Sequence, residues 1–241
     1  MIKRIRSDDE LQYFIEKLQN GQTEKNVEAL LIYERFLCYG TKYDFCRFYL
    51  AGDNCIISEM YNSCVLYGAA DFDELTDFFS FSAFSEIFCS YEAGRELSIK
   101  LPNWQRNDVN LMIFRGTGVP CETQKDVSIS DFVKILSTGF DLDPELCYLE
   151  TSHRVRHNIS QLRRLGNSVL TIQHDLCGSA LIAQIATSPK SRGKGDATRL
   201  ILSVCTELAS SEVYLLCKDE MVDFYRRIGF EIVCKKCEFK S

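Results

Sequence analysis

The segment Thr187-Ser188-Pro189-Lys190-Ser191-Arg192-Gly193-Lys194-Gly195-Asp196-Ala197 combines residue types suited to holding an anion. It follows an almost wholly apolar run, Ala180 to Ala186. It precedes apolar residues at 197, 200, 201, 204, 205 and 208, the stripe of an amphipathic helix. A helix beginning here presents unpaired N–H groups and a partial positive charge at its first turn. Gly193 and Gly195 let the backbone come close to a bound group, Ala197 keeps the first turn small, and Arg192 and Lys194 add charge. A phosphate or pyrophosphate fits such a site. A Walker loop is excluded, because the Lys-Ser/Thr step after the last glycine is missing. A dinucleotide fingerprint is not met either, since it needs three glycines and an acidic residue ~20 positions on. The plainer reading of the loop is a basic surface turn.

Other groups could carry chemistry downstream and upstream of this loop. Asp223-Phe224-Tyr225-Arg226-Arg227-Ile228-Gly229-Phe230 holds an aromatic pair, of which Tyr225 reads plainly as a core aromatic of the last helix. In Glu150-Thr151-Ser152-His153-Arg154-Val155-Arg156-His157, the two histidines are four apart and share a helix face. Glu150, His153 and His157 are candidates to relay protons or, with Arg154 or Arg156, to bind a substrate carboxylate. A solvated or interdomain basic patch is the plainer reading there. A two-His metal site lacks a third ligand nearby, and Cys234-Lys235-Lys236-Cys237 falls in a strand, where residues three apart point to opposite faces. No metal is expected.

The elements around these residues follow from periodicity. In the second half, the pattern predicts a helix at 130–138 and a helical or irregular stretch from Pro144 through 157. Strands follow at 159–165, 169–174 and 180–186, then the loop and a helix at 196–209. A strand at 213–217, a short helix at 220–228 ending at Gly229, and a strand from 230 complete it. The first half shows a similar order. Leu11, Phe14, Ile15 and Leu18 mark one helix and 27–37 a second. Strands fall at 45–50, 55–60 and 63–67, a helix starts at Phe72, and strands at 86–90 and 109–114 flank a helix at 91–97. Equal order suggests an internal duplication. Gly116-Thr117-Gly118-Val119-Pro120 is the best boundary, giving domains 1–118 and 119–241. The expected class is α/β: two lobes, each a mixed, mostly antiparallel sheet flanked by helices.

Composition bounds the function. With 46% hydrophobic and 26% charged residues in 241, the chain can bury a sizeable core. The net charge of -6 argues against nucleic-acid binding. Residues 1–120 hold 12 Lys/Arg against 18 Asp/Glu, whereas 121–241 hold 16 of each. No signal peptide or membrane-spanning run is visible, and the twelve scattered cysteines suit reduced thiols. The expected compartment is the cytoplasm, with no membrane or nucleic-acid partner. A homodimer is left open.

Taken together, Arg192 to Ala197 resembles the Arg/Gln-x-x-Gly-x-Gly/Ala signature of the GNAT N-acetyltransferase superfamily. Phe224-Tyr225 before Ile228-Gly229-Phe230 is similar to that family's second signature. The likeness covers about residues 126–238, and the chain resembles the two-lobed bacterial type of that family. The first half, with Tyr67-Gly68-Ala69-Ala70-Asp71-Phe72 at the matching place, looks like a lobe lacking the cofactor loop. The resemblance implies that the amides of Gly193, Lys194, Gly195, Asp196 and Ala197, with Arg192, hold the pyrophosphate of acetyl-CoA. Ile185, Ala186 and Thr187 would pair with its pantetheine arm, between strands that splay. Tyr225 would protonate the leaving thiolate. The implied activity is direct transfer of an acetyl group to an amine of a small molecule or peptide. The family's glutamate on the buried strand is missing; only Gln184 stands there, so no base is assigned. The competing classes are an acyl-CoA-binding sensor without transfer activity, and an interaction protein with a merely basic loop.

Overall fold

The computed structural model describes residues 1–20 and 26–241, which form two compact units. Unit 1 comprises residues 1–110 and 234–241, and unit 2 comprises residues 111–233.

Unit 1 opens with β1 (Ile2–Ile5), α1 (Asp8–Asn20) and α2 (Val27–Tyr39). A meander of β2 (Cys46–Ala51), β3 (Cys55–Met60) and β4 (Ser63–Tyr67) follows. Then come α3 (Phe72–Phe81), β5 (Glu86–Ser90), α4 (Tyr91–Lys100) and β6 (Gln105–Phe114). β1 to β4 are successively antiparallel, while β4 and β5 are parallel. The free edge of β5 is taken by residues 236–240, which pair with it antiparallel from Lys236–Ser90 to Lys240–Glu86. Leu75 and Phe79 of α3 and Leu97 of α4 pack with Ile57, Leu66, Ile87 and Phe239 of the sheet. In α2, buried Arg35 donates to the Ser58 carbonyl and hydroxyl, both at 3.0 Å. Leu11 and Ile15 of α1 are buried; the expected contributions of Phe14 and Leu18 fall on side chains outside the described residues.

Unit 2 holds α5 (Ile129–Leu136), α6 (Pro144–Arg156), β7 (Gln161–Leu165), β8 (Ser168–Leu176) and β9 (Ser179–Thr187). α7 (Asp196–Glu207), β10 (Glu212–Cys217), α8 (Val222–Arg227) and the first residues of β11 (Phe230–Lys240) complete it. β7, β8 and β9 are antiparallel, and β10 joins β9 in parallel. Leu200, Ile201 and Val204 of α7, each fully buried, meet Leu170, Ile172 and Ile182 of the sheet. On the other face α5 buries Phe132 and Leu136 against Leu162 and Val169. Arg163 is buried and holds Glu207 through two bonds, at 2.6 and 3.0 Å. This pulls the Glu207 carboxyl down to about 2.

The expected elements are present in both halves, in a mixed sheet flanked by helices. The structure adds β1 and extends β6 back to Gln105. The chain passes between units within β6 and again within β11; the turn at 116–120 lies just after β6. Cys234 and Cys237 are both in β11, and among the described residues no cluster of His, Cys, Asp or Glu could hold a metal ion. No helix among them is long and apolar enough to cross a membrane.

Candidate functional site

β9 and β10 share only a short ladder: Ser179–Glu212, Ala180–Val213 and Leu181–Tyr214. Past Leu181, β9 continues to Thr187 with its β10-facing edge outside that ladder. An extended amide-bearing group can add to such an edge as a strand does. The opposite edge of β9 carries a bulge. The pairing steps from Ala186–Val169 to Ala183–Thr171, so Gln184 and Ile185 oppose a single residue. Gln184 takes φ of 52°, rare for a residue with a Cβ. Its side chain is exposed, and its amide oxygen accepts from the Thr171 hydroxyl at 2.9 Å. Ile185 is half-buried against the unit's core and Ala186 is buried.

The loop after β9 is tied down at its start. Ser188 N donates to Asn167 O at 3.0 Å, and Asn167 Nδ2 donates to Ser191 Oγ at 3.0 Å. Arg192 folds back along the chain: Nε donates to Thr187 O at 3.2 Å and Nη2 to Thr138 O at 3.4 Å. Gly193 and Gly195 then take φ of 78° and 82°, and Gly195 is the N-cap of α7. Among the described residues, no side-chain cap bond closes the start of α7. A Cβ added at Gly193 or Gly195 would meet nothing within 4 Å. The glycines therefore serve the left-handed backbone and leave the space above it open. A cavity of about 310 Å³ lies there, lined by Thr187, residues 191–198 and Phe224. Its acidic neighbour, Asp196, has Arg199 at 3.8 Å. The arrangement is a concave, uncapped helix N-terminus with two cations, which suits a phosphate group.

Of the expected site residues, Thr187 and Arg192 through Ala197 share this cavity, and Ile185 and Ala186 lead into it along β9. Tyr225 lies in the core of unit 2, 7% exposed, with its ring edge-on to Phe224 and Phe230. Burial, and secondarily the nearby Cys217, push its phenol up to about 12. It is Phe224, not Tyr225, that lines the loop cavity. Both belong to α8, whose end is fixed by Gly229: φ is 100° there, and a Cβ would come within 2.7 Å of Gly116 Cα. His153 and His157 do share a face, ring centroids 4.3 Å apart, at the end of α6. Neither they nor Glu150 line the loop cavity. Ser191 of the loop segment, Phe224 of the aromatic pair and Thr198 join the lining without having been assigned to the site from sequence. Asn167, in the turn between β7 and β8, gave no local signal of its bond to Ser191.

No protein-family model matches the sequence. No curated protein is significantly similar to it either. Solved structures match along its whole length. An acetyltransferase from the GNAT family of Colwellia psychrerythraea is 9% identical, covering 100% of this chain and 99% of its own, with a TM-score of 0.63. A GCN5-related N-acetyltransferase from Sphaerobacter thermophilus is 12% identical, covering 100% and 95%, with a TM-score of 0.61. A Drosophila protein of solved structure is also 12% identical, covering 99% and 97%, with a TM-score of 0.67. The chain has the fold of the GNAT-family acetyltransferases. At these identities the likeness is one of fold.

Proposed function

We propose that unit 2 binds acetyl-CoA and transfers its acetyl group to an amine of a small molecule or peptide. The observation that carries this reading is the uncapped start of α7 at Gly195, set directly after a β9 edge that β10 leaves open. Backbone amides of Gly193 to Ala197, with Arg192 and Lys194, suit a pyrophosphate. The edge at Ile185, Ala186 and Thr187 suits the two amides of a pantetheine arm. When bound, the thioester supplies an activated acetyl group. The amine nitrogen would attack its carbonyl carbon and the C–S bond would break; the thiolate would take up a proton and the amine would give one up, to solvent where no residue accepts it. Tyr225, kept protonated by burial, is the assigned donor. Gln184 cannot accept the proton that the amine loses; its amide, fixed by Thr171, can donate a hydrogen bond. Glu150, His153 and His157 are the remaining candidates for substrate contact on α6.

Acetyl-CoA turnover with a panel of amines, read by free thiol release, tests this. Turnover is expected with at least one amine, together with a rise in melting temperature on adding acetyl-CoA. Gly195→Glu should abolish both, because it puts bulk and negative charge at the phosphates. Binding without turnover on any acceptor would instead support a sensor, in keeping with the missing carboxylate on β9. Unchanged CoA affinity in Gly195→Glu would sink the loop assignment.

A further inference from the structure

Unit 1 repeats the scaffold of the loop site with different chemistry. β4 and β5 pair in parallel at Ser63–Glu86, Cys64–Ile87 and Val65–Phe88, and the ladder then ends. Leu66 and Tyr67 carry β4 onward, with their β5-facing edge outside it. A cavity of about 960 Å³ opens at this point, three times the size of the one above Gly195. All of its lining belongs to unit 1. Its volume falls in the range of small-molecule pockets, ~300–1,000 Å³.

A phosphate does not fit it. The helix after β4 is capped by Asp71, which accepts from Asp73 N at 2.9 Å and Glu74 N at 3.3 Å. Asp73 and Glu74 add two further carboxylates to the same turn. An anion would meet like charge and amides already bonded. Gly68 gives no close backbone approach, since its Cβ direction is filled by the Asn54 carbonyl oxygen. The walls offer rings instead, from Tyr67, Phe72 and Tyr91. At the mouth, Glu92 and Glu96 are exposed and lie one turn apart on α4. Deeper in, Glu28 is buried and neutralised by Lys236, whose Nζ reaches its two oxygens at 2.7 and 2.9 Å. The remaining cation on the wall, Lys235, is exposed on a long stem. Two solvent-facing carboxylates thus stand beside one exposed ammonium.

We propose that this cavity binds a cationic amine that also carries an amide, the chemistry of a peptide's N-terminal residue. The ammonium faces Glu92 and Glu96. The body lies against Tyr67 and Phe72, where a ring face also attracts a cation. The amide pairs with the open edge of β4 at Leu66 and Tyr67.

Calorimetric titration of the full chain tests the assignment, with phenylalanine amide as the cationic probe. N-acetylphenylalanine amide keeps the ring and amides without the charge, and coenzyme A serves as the anionic probe. The charged amide should bind, and its acetylated form should bind about tenfold more weakly, as loss of a cation contact with rings and carboxylates implies. Glu92→Gln with Glu96→Gln, both exposed and tolerant of change, should weaken the charged probe to the level of the neutral one and flatten its salt dependence. Gly195→Glu should leave it unchanged. Equal binding of the two amides, no binding, or indifference to the glutamine pair would overturn the proposal. So would loss of binding in Gly195→Glu, which would move the amine to unit 2. Coenzyme A bound in Gly195→Glu but lost in Tyr67→Ala would also overturn it, because the cavity would then take a nucleotide.

Discussion

The two strand–loop–helix segments, β4 to α3 in unit 1 and β9 to α7 in unit 2, differ most at a single position. Asp71 caps one helix with its carboxylate; Gly195 caps the other with no side chain at all. Both helices present the same partial positive charge at their first turn. In unit 1 the neutralising anion is internal and permanent. In unit 2 it is left for a ligand to bring. Both units keep the short parallel ladder and the open strand edge, so the scaffold accepts an extended group in each. The cap residue then decides the charge of what can enter.

The sharpest way to break this comparison is to give unit 2 the cap of unit 1. Gly195→Asp should remove detectable acetyl-CoA binding by calorimetry. It should change the melting free energy by no more than about 1 kcal/mol, because a capping carboxylate offsets part of the left-handed strain. If acetyl-CoA still binds, the cap residue is not the discriminator. Next in size is the buried pair behind the unit 1 cavity. Lys236→Met alone leaves Glu28 as an uncompensated charge and should cost about 3–5 kcal/mol in denaturant unfolding. Adding Glu28→Leu should recover most of it, which would identify the pair as a specificity device in the cavity floor. Burial alone already pushes the Glu28 carboxyl up despite Lys236.

Tyr225→Phe should lower turnover by roughly ten- to a hundredfold, the usual contribution of general acid catalysis being at least that. Acetyl-CoA affinity should stay within about twofold. Because the phenol sits near 12, it remains protonated across the working range. The pH–rate profile of wild type and variant should therefore share the same shape below about pH 10. A limb that disappears with the hydroxyl would contradict the assigned donor. The smallest effect is expected at the other cap: Asp71→Ala should cost about 1 kcal/mol of stability. It should not create acetyl-CoA binding, since Asp73, Glu74 and the filled space at Gly68 remain.

Much of this was legible in the sequence. Apolar runs at 55–60, 63–67 and 180–186 are buried strands, and the stripe from 197 to 208 is a helix that hides one face. The loop was readable because Gly193 and Gly195 adopt the backbone that only glycine takes cheaply. What escaped was set by tertiary partners. β1 is a charged edge strand, and the polar start of β6 (Gln105 to Asp108) shows no alternation. Adjacent residues on a helix point about 100° apart, so the Phe224-Tyr225 pair could not say which ring faces the cavity. The structure gives the cavity to Phe224 and the core to Tyr225. Gln184 announced a missing carboxylate, but its place on a bulge is set by the pairing of β9 with β8 and left no mark in the sequence.

The pairing of residues 236–240 with β5 carries a consequence for biosynthesis. That strand lies roughly 150 residues beyond its partner, a separation at which closing the intervening loop is entropically slow. While the ribosome is still making unit 2, β5 is an unprotected edge able to capture a foreign strand. Unit 2, through 233, contains all the strands of its own sheet earlier in synthesis. Order of emergence therefore favours the loop site maturing first and the cavity of unit 1, whose wall includes Lys235 and Lys236, being sealed last.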